Sequence, residues 1–290
     1  MEQPLVVGCD GSESSLEAVE WAAGAAARYD CPLRIVYASR WERYEGHLPD
    51  LSTEPSAERV MEEQVIGVAA ERANRCVPGL KVTTHLLPDD PTAALLEEAH
   101  HAKAVVVGHR GRGRLASLLL GSVGLVVAAR ARCPVVVVRG RPNRVPGVMR
   151  KVVLGIGEGR REAAAVAFAL REAAARRCEV EAVHAWRCGI GEVSEHKAPH
   201  SECRAEHERQ AGLLFEEVLT EQPAEYRQVT VKRRTVEGPA GASLVAASES
   251  ADLVVVGARW RQGRVGLQLG PVNHTVLHHA QCPVAVVPES

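Results

Sequence analysis

Ala104-Val-Val-Val-Gly108 and Leu253-Val-Val-Val-Gly257, 149 residues apart, are the stretches on which the fold turns. A short run of β-branched residues closed by glycine reads as a strand buried on both faces. Working outward, Cys133-Pro-Val-Val-Val-Val138 recurs as Cys282-Pro-Val-Ala-Val-Val287 at the same offset of 149. Val6-Val7-Gly8 lines up with Val153-Leu154-Gly155 at 147, and Pro91 with Pro239 at 148. A period this long exceeds any solenoid unit and marks a duplicated domain. The break falls in Gly140-Arg-Pro-Asn-Arg-Val-Pro-Gly147, whose two prolines and two glycines suit a linker. The expected division is a first domain over 1–141, a linker over 142–148 and a second domain over 149–290.

Within each copy apolar runs alternate with helical patterns. In the first copy strands are expected at Pro4–Gly8, Leu33–Ala38, Lys81–Leu87, Ala104–Gly108 and Pro134–Arg139. Helices are expected near Ser14–Tyr29, Ser56–Cys76, Thr92–His101 and Ser122–Ala131, and Ser14-Ser15-Leu16-Glu17 fits a capping box. Apolar strands separated by helices predict a parallel sheet covered on both faces. The fold class is therefore α/β, with two tandem Rossmann-like domains, each a five-stranded parallel sheet flanked by helices. Strand order does not follow from one sequence.

The 290 residues are 46% hydrophobic and 24% charged, ordinary for a globular protein with a core. Net charge is −1, so no global basic field recruits nucleic acid. The chain runs from Met1-Glu2-Gln3 straight into a strand pattern, and no apolar run approaches the ~20 residues of a membrane helix. The expectation is a cytoplasmic protein with no membrane partner. The eight cysteines form no CxxC pair and read as reduced thiols.

In an open parallel sheet, ligands sit beyond the carboxyl ends of the strands. After the first strand comes Gly8-Cys9-Asp10-Gly11-Ser12. After the fourth comes Gly108-His109-Arg110-Gly111-Arg112-Gly113-Arg114, running on to Gly121-Ser122 at a helix start. Glycines let backbone N–H groups approach phosphate oxygens, Ser122 adds a hydroxyl at the positive end of a helix dipole, and three arginines add charge. The spacing is neither that of a P-loop nor that of a dinucleotide fingerprint. By itself such a loop can also be a plain glycine-rich surface turn.

From Gly108 the spacing is G, two residues, Gly111, nine residues, Gly121-Ser122. This resembles the G-2x-G-9x-G-(S/T) signature of ATP-binding universal stress proteins, with every fixed position filled. Val6-Val7-Gly8-Cys9-Asp10-Gly11-Ser12 and the Cys-Pro-Val-Val-Val-Val strand resemble further parts of that family, whose fold is adenine nucleotide α hydrolase-like. The resemblance spans nearly the whole chain, twice. It implies that Gly8 and Asp10 line the nucleoside end and that Ala38 offers backbone groups to adenine. It also implies that Gly108, His109, Arg110, Gly111, Arg112, Gly113, Arg114, Gly121, Ser122 and Val123 hold ribose and phosphates. The cofactor implied is ATP, with or without Mg2+, and the assembly implied is a homodimer built on the terminal strands.

The second copy departs from the signature. Trp260 stands where Gly111 stood and Pro271 where Ser122 stood; Gly157 replaces Asp10 and Glu158 a glycine. Added bulk, a lost N–H and an added anion predict ATP in the first domain alone.

Other clusters carry less. His196, His200, Cys203 and His207 have zinc donor types but fall in a His-rich loop and helix start. His274 and His278 share a helix face with no carboxylate beside them. No aromatic residues interleave Arg110–Arg114, which disfavours RNA. No Ser/His/Asp grouping, acid/base pair or HExxH appears, so no catalytic residue is assigned. The leading expectation is a nucleotide-responsive regulatory or stress-survival module. A slow ATPase or adenylate-transferring enzyme and a nucleotide-free scaffold stand beside it.

Overall fold

The structure, a computed structural model, describes residues 3–39, 57–111, 120–140, 148–157, 162–187, 200–220, 224–259 and 269–289. The chain divides into two compact units with the boundary between Arg139 and Gly140. The expected linker 142–148 lies outside the described residues except for Val148.

The first unit runs β1 (Leu5–Gly8), α1 (Glu13–Arg28), β2 (Leu33–Ala38), α2 (Ala57–Cys76), β3 (Val82–Leu87), α3 (Pro91–Glu98), β4 (Ala104–Gly108), α4 (Ser122–Arg130) and β5 (Val135–Val138). The second repeats it with β6 (Lys151–Ile156), α5 (Ala163–Arg176), β7 (Glu179–Trp186), α6 (His200–Thr220), β8 (Val231–Glu237), α7 (Ala240–Ser248), β9 (Leu253–Arg259), α8 (Pro271–His279) and β10 (Val284–Glu289). Strand order is β3-β2-β1-β4-β5 in the first unit and β8-β7-β6-β9-β10 in the second, with parallel pairing inside each.

The valine runs fill the sheet centre: Val6, Val7, Val105 and Val106 are fully buried, as are Val152, Val153, Val254 and Val255. Ala18, Val19, Ala22, Ala23, Ala25 and Ala26 give α1 an equally buried face, and small side chains let it lie close on β1 and β4. Burying this many apolar side chains at about 25 cal/mol per Å² is what offsets the entropy of ordering the chain. β3 differs from the expected all-apolar strand. Thr83, Thr84 and Leu86 are exposed because β3 is at one end of its unit's strand order, where one partner strand is missing.

Two local expectations are corrected. The cap of α1 is Ser12, which accepts the Ser15 N–H at 3.3 Å, so Ser14 lies inside the first turn and is not a capping-box residue. Cys203 on α6 is disulfide-bonded, whereas Cys9, Cys31, Cys76, Cys133, Cys178 and Cys282 are reduced, as expected. Among the described residues, no helix is long and apolar enough to cross a membrane.

Candidate functional site

β1 pairs with β2 on one side and β4 on the other, so connections leaving it and β4 diverge and open a crevice at their carboxyl ends. The first loop is a tight side-chain-stabilised turn. Asp10 Oδ1 accepts the Ser12 N–H at 3.0 Å and the Ser12 hydroxyl at 2.6 Å, and Gly11 takes the left-handed φ of 78° that this turn needs. Ser15 closes it, donating its hydroxyl to Ser12 O at 2.8 Å and accepting the Asp10 N–H at 3.3 Å.

The loop after β4 docks on this turn through Ser14. Its Oγ accepts the Arg110 N–H at 3.2 Å and lies 2.9 Å from His109 Nδ1. Burial, then the charges of Arg139 and Arg110, hold the His109 imidazole below its usual range, partly opposed by a bond to the Val138 backbone. A neutral ring lets Nδ1 accept the Ser14 hydroxyl proton while the same oxygen accepts from Arg110.

Two glycines make the docking sterically possible. A Cβ on Gly108 would sit 2.6 Å from Ser14 O, and one on Gly111 would sit 2.5 Å from Asp10 Oδ2. The Gly121 N–H then donates to His109 O at 2.8 Å, carrying the start of α4 to the same place. Among the described residues no side chain caps α4, and Ser122 at its first position is exposed. An uncapped helix start beside arginine is an anion-binding arrangement.

Gly108, His109, Arg110, Gly111, Gly121 and Asp10 are thus brought together. Ser122 and Val123 open α4, and Gly8 ends β1 against the Leu95 methyls. Ala38 ends β2, one strand over. Arg112, Gly113 and Arg114 lie outside the described residues. Sequence reasoning missed Ser12 and Ser14 as the stitches between the two loops. The signal available was a Ser-rich turn directly after Asp10.

The second unit is built differently at the same level. Gly157 is at the Asp10 position, and its N–H goes to Glu162 Oε1 at 2.7 Å, as the Asp10 N–H goes to Ser15. Glu289, at the end of β10, accepts the Ala165 N–H at 2.8 Å and the Ala164 N–H at 3.3 Å, capping α5, and its side chain lies against Gly257. Asn273 Nδ2 donates to Gly257 O at 3.0 Å. Asn273 is at the repeat position of Gly124, where a Cβ would touch Val107, Gly108 O and Leu120 at 3.5, 3.6 and 3.7 Å. Pro271 begins α8 as expected, and Glu158 and Trp260 lie outside the described residues.

The other clusters are described in part. His207 stacks on the buried Trp186 ring with centroids 4.8 Å apart, while His196 and the His200 side chain lie outside the described residues. The rings of His274 and His278 stack on each other at 5.4 Å. Among the described residues, no group of three His, Cys, Asp or Glu could hold a metal ion. A cleft of about 700 Å³ lined by Met149, Arg150, Arg177 and Thr230 sits at the amino ends of β6–β8.

Two copies of one strand order, with a loop site in the first, are matched by a single family. The profile of the universal stress protein family fits residues 1–139 and again 149–288. The chain belongs to the universal stress protein family. A universal stress protein of Mycobacterium tuberculosis is 34% identical over 299 residues, covering 99% of this chain and 97% of the relative. One of Mycolicibacterium smegmatis is 31% identical over 291 residues, covering 99% and 97%. The crystal structure of a universal stress protein from Archaeoglobus fulgidus superposes with a TM-score of 0.71 at 18% identity, covering 98% of each chain, which supports the fold of this universal stress protein.

Proposed function

We propose that the first unit binds an adenine nucleotide, ATP, and acts as a nucleotide-responsive regulatory module, while the second unit holds none in this manner. One observation carries the reading: Ser14 and Gly121 tie the β1 turn, the β4 loop and the uncapped start of α4 into one site. In this reading the N–H groups of Gly121, Ser122 and Val123, the Ser122 hydroxyl and the Arg110 guanidinium take the phosphates. Asp10, as an acceptor, faces ribose hydroxyls and not phosphate, and the backbone at Ala38 meets the base. ATP fits this donor set, since the glycines leave the backbone accessible to phosphate. With Asp10 the one carboxylate in these two loops, Mg2+ is best held by phosphate oxygens and water.

The contrast between the units supports the asymmetry. Glu289 caps α5, the counterpart of α1, with its side chain against Gly257, and Asn273 of α8 fills the space beside the same glycine. A phosphate there would meet two carboxylates, Glu162 and Glu289. Equilibrium dialysis with ATP on the full chain is expected to give one nucleotide per chain. Two per chain would overturn the asymmetry, and none would overturn the binding reading. Millimolar ATP is expected to raise the unfolding temperature by mass action. Sedimentation with and without ATP tests whether the chain is a homodimer.

A further inference from the structure

The second unit carries an electrostatic arrangement that the first lacks. Its positions match Ser15 and Gly140 of the first unit, two neutral residues, but hold Glu162 and Glu289. Both carboxyl groups are buried, with 9% and 5% of the residue exposed. Glu289 is satisfied by two amides of the first turn of α5. Glu162 is satisfied on one side only. Oε1 accepts from Gly157, while Oε2 is buried with no hydrogen-bond partner among the described residues. An orphaned carboxylate oxygen at this depth is costly, so it calls for a ligand that carries positive charge and little volume.

Among the described residues, the groups facing Glu162 come from four directions. The Gly157 N–H ends β6, Glu289 ends β10, Arg259 ends β9, and the first-turn amides of α5 are taken by Glu289. The buried His184 of β7 is turned to Ile156 O at 3.0 Å, one residue from Gly157. Among the described residues, two buried carboxylates, Glu162 and Glu289, thus face the single guanidinium of Arg259.

We propose that this crevice is a proton-binding site, in which Glu162 takes up a proton at Oε2 and thereby locks the amino end of α5 to β6 and β10. The proton needs no coordination shell and leaves the Oε1 bond to Gly157 intact. Burial, opposed by the Gly157 N–H and reinforced by the Glu289 charge, pushes the Glu162 carboxyl up to about 7. Burial likewise pushes Glu289 up, opposed by the Ala165 and Ala164 amides. When Glu162 ionises, its repulsion with Glu289 acts on the carboxylate that caps α5. The second unit then answers pH at the level where the first is read as answering nucleotide.

The test uses the full chain labelled with 13C at glutamate carboxyl carbons, titrated from pH 5 to 9. One resonance is expected to titrate about two pH units above the surface glutamates. It should vanish in Glu162→Gln and move down in Glu289→Gln. Amide exchange at Ala164 and Ala165, corrected for intrinsic rates, is expected to speed about tenfold between pH 6 and 8.5 in the parent chain and to stay flat in Glu162→Gln. A carboxyl that titrates with the surface glutamates, or exchange that is flat in the parent chain, would overturn the proposal. So would millimolar Mg2+ or Ca2+ at pH 8.5 restoring slow exchange in a Glu162-dependent way, because the ligand would then be the metal. The parent-chain titration decides the matter even if a variant fails to fold.

Discussion

Gly121→Ala separates binding from folding. The residue has φ −68° and ψ 150°, which alanine adopts freely, and a Cβ there would meet nothing closer than His109 O at 3.7 Å. Alanine gains about 0.4–1 kcal/mol by restricting the unfolded chain. Glycine is the better residue at a helix cap by a comparable amount, so the two effects nearly cancel. Stability is expected to stay within about 0.5 kcal/mol of the parent, given the usual scatter of exposed substitutions. Binding has no such compensation, because the methyl would stand over amides that phosphate must approach. Losing one charge-assisted bond of about 1.5–3 kcal/mol raises Kd roughly ten- to a hundredfold. Urea unfolding without nucleotide and calorimetric titration with ATP measure the two quantities separately. An unchanged Kd in a stably folded variant would refute the placement of phosphate at α4. Gly108→Ala is the control: its Cβ would lie 2.6 Å from Ser14 O, so this variant should lose about 1–3 kcal/mol of stability.

Ser14→Ala removes the oxygen shared by His109 and Arg110; ATP affinity should fall about tenfold with stability changed by about 1 kcal/mol, checked by the same two assays. Stability should depend on pH through Glu162. Its folded value of about 7 exceeds the unfolded 4.5, so the native chain binds the extra proton in that window and stability falls as pH rises through it. The full loss is about 3 kcal/mol above pH 7, seen as a falling urea midpoint that Glu162→Gln flattens. Glu289→Ala leaves the Ala164 and Ala165 amides without their acceptor and should cost about 1–3 kcal/mol in urea unfolding. Arg72 of α2 bonds Glu20 at 2.5 Å and Glu13 at 2.7 Å on α1, yet these carboxylates are exposed. Arg72→Ala should therefore cost about 1 kcal/mol or less, shrinking further in 1 M salt.

Much of the fold was legible because buried parallel strands write themselves as uninterrupted apolar runs. Ala104–Gly108 falls where the sequence placed it, and the other first-unit strands shift by no more than a residue at either end. Gly108 and Gly111 were legible for a related reason, since Ser14 and Asp10 approach them too closely for a side chain. The capping of α1 was misread because Ser12, Ser14 and Ser15 are equally good caps on paper. Asp10 and the left-handed Gly11 decide among them by pulling the turn tight around Ser12. The meeting of Glu162 with Glu289 left no local trace, because it joins the two ends of a duplicated unit through the sheet. A glutamate at the end of an apolar strand reads as solvent-facing until the helix it caps is in view.

The place of β1 in its sheet also sets a timetable. Val6 is paired with Arg34 on one side and Val105 on the other, and it is fully buried. During synthesis the first of these neighbours emerges early, whereas the second follows β1 by about a hundred residues, or roughly 5–20 s at ribosomal speeds. Through that interval the nascent chain holds an apolar strand with one edge open, a surface that invites holdase chaperones and off-pathway pairing. The second unit repeats the delay, since β6 must wait for β9. Yield on expression should therefore respond to translation rate between β2 and β4 more than to changes near the nucleotide crevice.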